Sequence, residues 1–447
     1  MIGIRARLRY RALHLSPPML LATFYLFFVV LGGFVLWLPW SNNVPLSFME
    51  ALFTSTSAVT VTGLVVVDTG ATFTMFGQGV LMVLMQLGGL GLMTFAVFVL
   101  SAIGVSVGLN QRLILREDLN QSSIGDLLTL VRIIFFVAVG CEIAGAVLLA
   151  FVFVPELGWG RGLWFSAFHA VSAFNNAGFG LKSSSLMDYV GDPIVNLVIP
   201  TLFILGGLGF MVLGDLYTRR KWRSLTLHSK LMLAGTAGLI VWAFVTFAAL
   251  EWTNPGTLGG LETTGERLMA AWFQSVTPRT AGFNTLDYSS MHDTTILMTI
   301  ALMIIGGGST STAGGIKVTT FIVLILATIA FFRRRPSLNA FGRSLGVNEV
   351  MKVMALMTVS TLIIFVGLFV VSVSHDGDFK RLLFEVVSAF GTVGLSMGET
   401  ANLDFGGRIA IMAVMFLGRV GPLTLGFFLA RHSVAKVRYP AGQVFLG

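Results

Sequence analysis

"SAFNNAGFGL", residues 172–181, is a polar, glycine-bearing interruption in a chain that is otherwise about as apolar as lipid. Three more short runs close on a lone glycine in the same way: "SAVTVTGL" (57–64), "TPRTAGFN" (277–284) and "SAFGTVGL" (388–395). Their glycines, Gly63, Gly178, Gly282 and Gly394, are separated by 115, 104 and 112 positions. A Phe stands ten positions before the glycine in three of the runs (Phe53, Phe168, Phe384), and a Ser-Ala pair stands six and five before it (Ser57-Ala58, Ser172-Ala173, Ser388-Ala389). The third run departs, with Phe273 nine before Gly282 and Thr277-Pro278 in place of Ser-Ala.

The surrounding chain explains why such runs need a reason. Of 447 residues 55% are hydrophobic and 11% charged, with a mean hydropathy of +0.85, against about 25% charged in soluble domains. Apolar stretches of the roughly 20 residues that cross about 30 Å of hydrocarbon recur near 18–40, 74–104, 127–155, 193–217, 229–250, 294–328, 351–374 and 408–430, which predicts about eight crossings. The basic start resembles the head of a signal peptide, but the apolar run behind it is too long and has no small-residue cleavage site, so it reads as a retained first helix. The single Cys141 leaves no disulfide framework and no thiolate metal site.

The net charge of +8 resolves by placement. Basic clusters lie at Arg5, Arg7, Arg9 and Arg11, at Arg112 and Arg116, at Arg219, Arg220, Lys221 and Arg223, at Arg333, Arg334 and Arg335, and at Arg431, Lys436 and Arg438. These are alternate connections, and the intervening ones carry most of the acids, among them Asp68, Glu156, Asp188, Glu251, Asp287 and Asp404. The positive-inside rule then puts both termini in the cytoplasm and the charge is a signature of topology in a bilayer, not of a nucleic-acid partner.

Each repeat accordingly reads as a full apolar helix, an acidic outer turn, a segment of about a dozen residues, the glycine run and a second full helix. A dozen residues cannot span the bilayer. "LSFMEALFTSTSA" (46–58) and "RGLWFSAFHAVSAF" (161–174) are expected to be half-helices that enter from outside, stop, and pass to extended backbone. Non-helical backbone at that depth is tolerated where it is buried in protein or lines a water-filled path. A lone glycine in a membrane helix ordinarily marks close helix packing; four at one period, each behind a segment too short to span, point instead to an axial pore. The expected fold is an all-α polytopic membrane protein with four tandem helix–pore half-helix–helix repeats arranged pseudo-fourfold around a central ion pore. The layout is an N-terminus at 1–17, repeat 1 at 18–104, a connection at 105–126, repeat 2 at 127–217, a connection at 218–228, repeat 3 at 229–330, a connection at 331–350, repeat 4 at 351–430 and a tail at 431–447.

Rings of backbone carbonyls replace the hydration shell of potassium-like cations, and glycine accepts the backbone angles that turn carbonyls toward an axis. The lining is expected from Thr60, Val61, Thr62 and Gly63; Asn176, Ala177 and Gly178; Thr280, Ala281 and Gly282; and Thr392, Val393 and Gly394. No carboxylate stands in these runs, and calcium or magnesium sites want charged oxygens, so neutral carbonyls favour a large monovalent cation. One glycine per repeat, where the potassium-channel signature TVGYG has two, predicts fewer well-formed ion sites.

The four half-helix and single-glycine repeats resemble the Trk/Ktr/HKT superfamily of potassium transporters, over essentially the whole chain. The prompt start of the first repeat helix and the close on "VRYPAGQVFLG" (437–447) are similar to its Ktr-type, or KtrB-like, membrane subunits. The resemblance implies K⁺ at the filter carbonyls, no organic cofactor in this chain, a homodimer in the bacterial cytoplasmic membrane, and a cytosolic KtrA-like nucleotide-binding ring as regulatory partner. Whether Na⁺ also passes or drives uptake the residues leave open.

A second interruption, "IIGGGSTSTAGGIKVTT" (304–320), stands in the second helix of repeat 3 and in no other repeat by this reading. Five glycines in ten positions, each costing roughly 1 kcal/mol against alanine in a helix, predict an intramembrane loop made of Gly306, Gly307, Gly308, Ser309, Thr310, Ser311, Thr312, Ala313, Gly314 and Gly315. Its position on the cytoplasmic side of the filter suggests a flexible gate, the role the family resemblance also implies. Arg419, in "FLGRVGPLTLG" (416–426), is an arginine near mid-membrane costing at least roughly 2.5–3.5 kcal/mol on insertion scales; it is either a structural ion pair or carbonyl contact, or a cavity cation that repels permeant ions and anchors the loop. Lys317 either snorkels or pairs nearby. His169, Glu385 and Glu50 are expected to brace the half-helices, and Arg132 and Glu142 have no assignment.

Enzyme chemistry lacks support: the six histidines show no metal-ligand spacing, and no nucleophile elbow or P-loop is present. A sodium- or proton-coupled symporter is the stronger rival, since broken helices and a midplane site also occur in transporters. Such folds usually carry inverted repeats, whereas all four repeats here begin on the same side.

Overall fold

The computed structural model describes residues 17–91, Thr94, 127–334 and 337–421. The expected N-terminus before 17, the connection at 105–126 and the tail at 431–447 lie outside the described residues. Each repeat supplies an outer helix, a half-helix and an inner helix. In repeat 1 these are Pro17–Trp37, Phe48–Val59 and Met75–Leu90; in repeat 2, Leu127–Leu157, Trp159–Phe174 and Pro193–Leu208. In repeat 3 they are Leu227–Glu251, Thr264–Val276 and Asp293–Ile304, the last continued by Val318–Phe332; in repeat 4, Val347–Ser374, Phe379–Gly391 and Phe405–Val420.

Local chemistry sets the starts. Half-helices 1 and 3 open on capping boxes, Ser47 with Glu50 and Thr263 with Glu266, and half-helix 4 on Asp378, whose carboxylate accepts from Arg381 N. Inner helices 1, 2 and 4 are capped by Thr74, Asp192 and Asp404. The outer helices of all four repeats are long and apolar enough to cross a membrane. The inner helices are not the uninterrupted second spans that hydropathy suggests. Inner helix 1 stops at Leu90 before Gly91 (φ +86°), inner helix 4 at Val420 before Gly421 (φ +96°), and inner helix 2 bends by 92° at Gly209 (φ +98°) into Phe210–Arg219. Inner helix 3 gives way after Ile304 to the loop that precedes Val318. Inner helices 1, 2 and 4 therefore break at the close of a common pattern, "LGGLG" (87–91), "LGGLG" (205–209) and "LGRVG" (417–421), whereas inner helix 3 breaks just before the related "IGGGS" (305–309).

Packing closes the repeats into a ring. The half-helix phenylalanines Phe53, Phe168, Phe273 and Phe384 are all fully buried. Each enters the core cluster of the preceding repeat: Phe53 sits with Ile411 and Met415 of repeat 4, Phe168 with Leu81 and Met85 of repeat 1, Phe273 with Ile199 and Phe203 of repeat 2, and Phe384 with Leu302 and Met303 of repeat 3. Repeat 1 thus reaches back to repeat 4 and closes the ring.

In repeats 1, 2 and 4 the first glycine of the inner-helix pattern makes the complementary close approach. A Cβ at Gly88, Gly206 or Gly418 would overlap the carbonyl oxygen of Val59, Phe174 or Phe390, each four residues before the glycine of its run (Gly63, Gly178 or Gly394). Gly206→Ala and Gly418→Ala are expected to destabilise the protein by about 1–3 kcal/mol, the usual range for overpacking, read as a lowered melting temperature in detergent. An unchanged melting temperature would mean the inner helices slide freely past the half-helices.

Candidate ion pathway

The four glycine runs share one unusual backbone. Two residues before each glycine, Val61, Asn176, Thr280 and Thr392 take positive φ (53°, 57°, 69° and 49°), and Gly63, Gly178, Gly282 and Gly394 take it again (92°, 68°, 77° and 90°). The residues between them, Thr62, Ala177, Ala281 and Val393, are not among the positive-φ positions. Three of the four non-glycine positions are β-branched, the type for which positive φ is most unfavourable. Such conformations persist only where the surroundings over-determine them.

The surroundings do so by hydrogen bonding from behind. Thr62 N and Val393 N donate to the carbonyls of Ser57 and Ser388 (2.8 and 2.9 Å), and Gly63 N and Gly394 N donate to the hydroxyls of the same serines (3.0 and 3.1 Å). Ala177 N donates to Ser172 O (2.8 Å), while the Ser172 hydroxyl has no hydrogen-bond partner among the described residues. In repeat 3 the role passes to Thr277, whose carbonyl accepts from Ala281 N (3.1 Å) and whose hydroxyl donates to Phe283 O (2.5 Å). The one-residue shorter register of that repeat is thus absorbed at its turn.

The four runs also close on one another. A Cβ on Gly63 would meet Ala177 O, one on Gly178 would meet Ala281 O at 3.1 Å, one on Gly282 would meet Val393 O at 2.5 Å, and one on Gly394 would meet Thr62 O. Each glycine lies against the carbonyl that precedes the next glycine, in the cyclic order 1, 2, 3, 4, 1. Thr60, Val61, Thr62, Asn176, Ala177, Thr280, Ala281, Thr392 and Val393 are all buried.

Beneath this ring lies the loop 305–317. Its two feet are side by side, with Gly306 N donating to Ile316 O (2.8 Å) and Ile316 N to Ile304 O (3.3 Å). Its body is bonded to the break of inner helix 2: Gly308 N donates to Gly207 O (2.7 Å), Thr312 N to Gly206 O (3.2 Å), and Phe210 N to Thr310 O (2.9 Å). Its tip touches the ring, since Thr312 Oγ1 donates to Asn176 Oδ1 (2.7 Å) and Asn176 Nδ2 donates to Thr280 Oγ1 (3.1 Å). Ser309 and Ser311 stay half-buried, Gly307, Ala313 and Gly314 are buried, and a Cβ on Gly314 would run into Thr392. Gly315 needs its freedom, at φ +64°.

Two cations hold the loop. The Arg419 guanidinium donates to Thr312 O and to Gly88 O and Gly89 O at the end of inner helix 1, where helix-end carbonyls carry partial negative charge. Arg419 occupies the place of the second glycine of the repeated pair, so one substitution in a glycine pattern puts the charge there. Lys317 does not snorkel: its ammonium donates to Ala313 O (2.7 Å) and Gly314 O (3.4 Å).

The remaining polar candidates separate. Glu385 accepts from Ser396 Oγ (2.6 Å), Met397 N (2.9 Å) and Thr400 Oγ1, bracing the segment that climbs away from Gly394. Glu50 closes its capping box and faces Arg408 at 3.8 Å. His169 is no such brace; it stacks on Phe165 and shares Nδ1 with Phe165 O (2.9 Å). Glu142 accepts from Asn175 Nδ2 (3.1 Å), which also donates to Gln86 Oε1 (2.6 Å), joining outer helix 2, half-helix 2 and inner helix 1.

Comparison with known proteins agrees with this architecture. The family described as TrkH, cation transport protein, matches residues 19–435. The chain is 48% identical to the Ktr system potassium uptake protein B of Bacillus subtilis over 432 residues, 97% of each chain. It is 38% identical to the potassium/sodium uptake protein NtpJ of Enterococcus hirae over 99% of each. Its fold resembles the crystal structure of the potassium transporter TrkH from Vibrio parahaemolyticus, with a TM-score of 0.74 and 20% identity, covering 93% of this chain and 86% of that one. A ring of four glycine runs, each behind a half-helix, in a chain that matches along nearly its whole length, makes this polypeptide a member of the TrkH family of cation transport proteins.

Proposed function

We propose that this chain takes up potassium across the bacterial cytoplasmic membrane through a channel-like pore. The observation that carries the reading is the closed ring of Gly63, Gly178, Gly282 and Gly394, each set against the carbonyl before the next. Those carbonyls form the selectivity filter, replacing the water around a K⁺ ion, and the half-helix C-termini add partial negative charge behind them. The alternation of positive and negative φ, held by Ser57, Ser388 and Thr277, keeps the ring preorganised. The loop 306–315, held by Arg419, is the gate on its cytoplasmic side. The same proposal keeps the repeat limits read from the sequence and places both termini in the cytoplasm.

The relatives' names support potassium as cargo, and one of them names sodium as well. Regulation by a cytosolic nucleotide-binding ring docked on the cytoplasmic face of a homodimer belongs to the same proposal. Purified protein in liposomes under an imposed potential is expected to carry K⁺ without any second ion gradient. Flux that requires a Na⁺ or H⁺ gradient would replace the channel reading with a coupled symporter.

A further inference from the structure

The third glycine run carries a charge that the other three lack. Three residues before the filter glycines stand Thr60, Asn175, Arg279 and Gly391, and two of these positions press on the preceding repeat's inner helix near its break: Asn175 lies against Gly89, and Gly391 against Met303 O. Arg279 is 9% exposed and lies in a small cavity between inner helix 2, outer helix 3 and the loop, lined by Phe203, Gly207, Leu208, Thr236 and Gly307.

Among the described residues, no ion pair includes Arg279. Its terminal nitrogen donates to Thr236 Oγ1 and to Gly306 O, each at 3.4 Å, and its Nε has no partner among the described residues. What stabilises a buried cation without a carboxylate is the set of helix ends around it. Half-helix 3 ends at Val276, inner helix 2 at Leu208 and the first part of inner helix 3 at Ile304, and each brings C-terminal carbonyls with partial negative charge. Gly306 stands at the foot of the loop, so the guanidinium joins the filter run of repeat 3 to that foot. Arg419 holds the tip through Thr312 O from the opposite side.

We infer that Arg279 is a positioning residue that holds the foot of the gate loop in its pore-blocking place, as a second anchor beside Arg419. The inference rests on the gate reading above. Flux in liposomes without any cytosolic partner tests it in four variants: Arg279→Gln, Arg279→Lys, the deletion of residues 308–314, and that deletion combined with Arg279→Gln. Arg279→Gln is expected to raise K⁺ flux about fivefold by shifting the closed population, with the K⁺ to Na⁺ ratio unchanged. Arg279→Lys should fall between it and the wild type, and the glutamine should add nothing in the deletion background. Unchanged or lower flux for monodisperse Arg279→Gln, a lost K⁺ to Na⁺ ratio, or a further rise in the deletion background would overturn the anchor role. A deletion that itself raises nothing would instead remove the gate reading and the anchor with it. If the glutamine variant does not fold, Thr236→Val, which removes the guanidinium's hydroxyl partner, decides in its place: raised flux supports the anchor and unchanged flux overturns it.

Discussion

Replacing Gly394 by serine is expected to lower the K⁺ to Na⁺ permeability ratio by at least about tenfold, equivalent to roughly 1.4 kcal/mol. Two separate effects converge on that position. Its φ of +90° is one an L-residue adopts at a cost of roughly 1–2 kcal/mol, and the new Cβ would overlap Thr62 O, the carbonyl that the neighbouring run contributes to the ring. Relief of the overlap displaces that oxygen, so the damage passes to a second subsite. Gly178→Ser should act similarly, because its Cβ would stand 2.8 Å from Gly282 Cα and 3.1 Å from Ala281 O. Gly398 provides the control. It has the same backbone requirement, at φ +87°, but nothing within 4 Å of an added Cβ; Gly398→Ser carries the conformational cost without the overlap and should keep its selectivity. Potential-driven K⁺ and Na⁺ flux in liposomes measures all three, and unchanged ratios at Gly178 and Gly394 would disprove the filter.

The glycines of the ring were legible in the sequence because only glycine tolerates both the angle and the contact, so the constraint left a visible mark at a regular period. The partner positions left none. Val61, Thr280 and Thr392 carry the same left-handed backbone on β-branched side chains, a choice that propensity argues against and that tertiary hydrogen bonds impose. The breaks of inner helices 1, 2 and 4 lie in sequence that hydropathy alone reads as continuous span. A hydropathy window runs straight through "LGGLG" because its residues are apolar, whereas the recurrence of the pattern at 87–91, 205–209 and 417–421 would have exposed it and identified Arg419 as the one charged variant. The network of Glu142, Asn175 and Gln86 had no local signature at all, since its members are separated by 33 and 89 positions along the chain.

Removal of residues 308–314 is expected to raise K⁺ flux about tenfold or more in the absence of any cytosolic partner. The excision is feasible because the feet of the loop are already bridged by Gly306 N to Ile316 O, so the gap can close without moving Asp293–Ile304 or Val318–Phe332. What it removes is a set of bonds that hold the loop across the pathway: Gly308 N to Gly207 O, Thr312 N to Gly206 O, Phe210 N to Thr310 O, Thr312 Oγ1 to Asn176 Oδ1, and the clasp of Arg419 on Thr312 O. With a net worth of roughly 1 kcal/mol for each such bond, a loop held by several of them opens rarely on its own, and a regulator must supply differential binding energy to open it. If the glycine ring is the filter, it keeps its own supports at Ser57, Ser388 and Thr277, so the K⁺ to Na⁺ ratio should be unaffected while the rate rises. Thr312→Val isolates one bond of the set and should give a smaller rise, about threefold to tenfold. Flux that stays level in well-folded deletion protein would mean that the barrier lies elsewhere in the pathway. Flux that rises together with a collapse of selectivity would mean that the bond from Thr312 to Asn176 supports the filter rather than closing the gate.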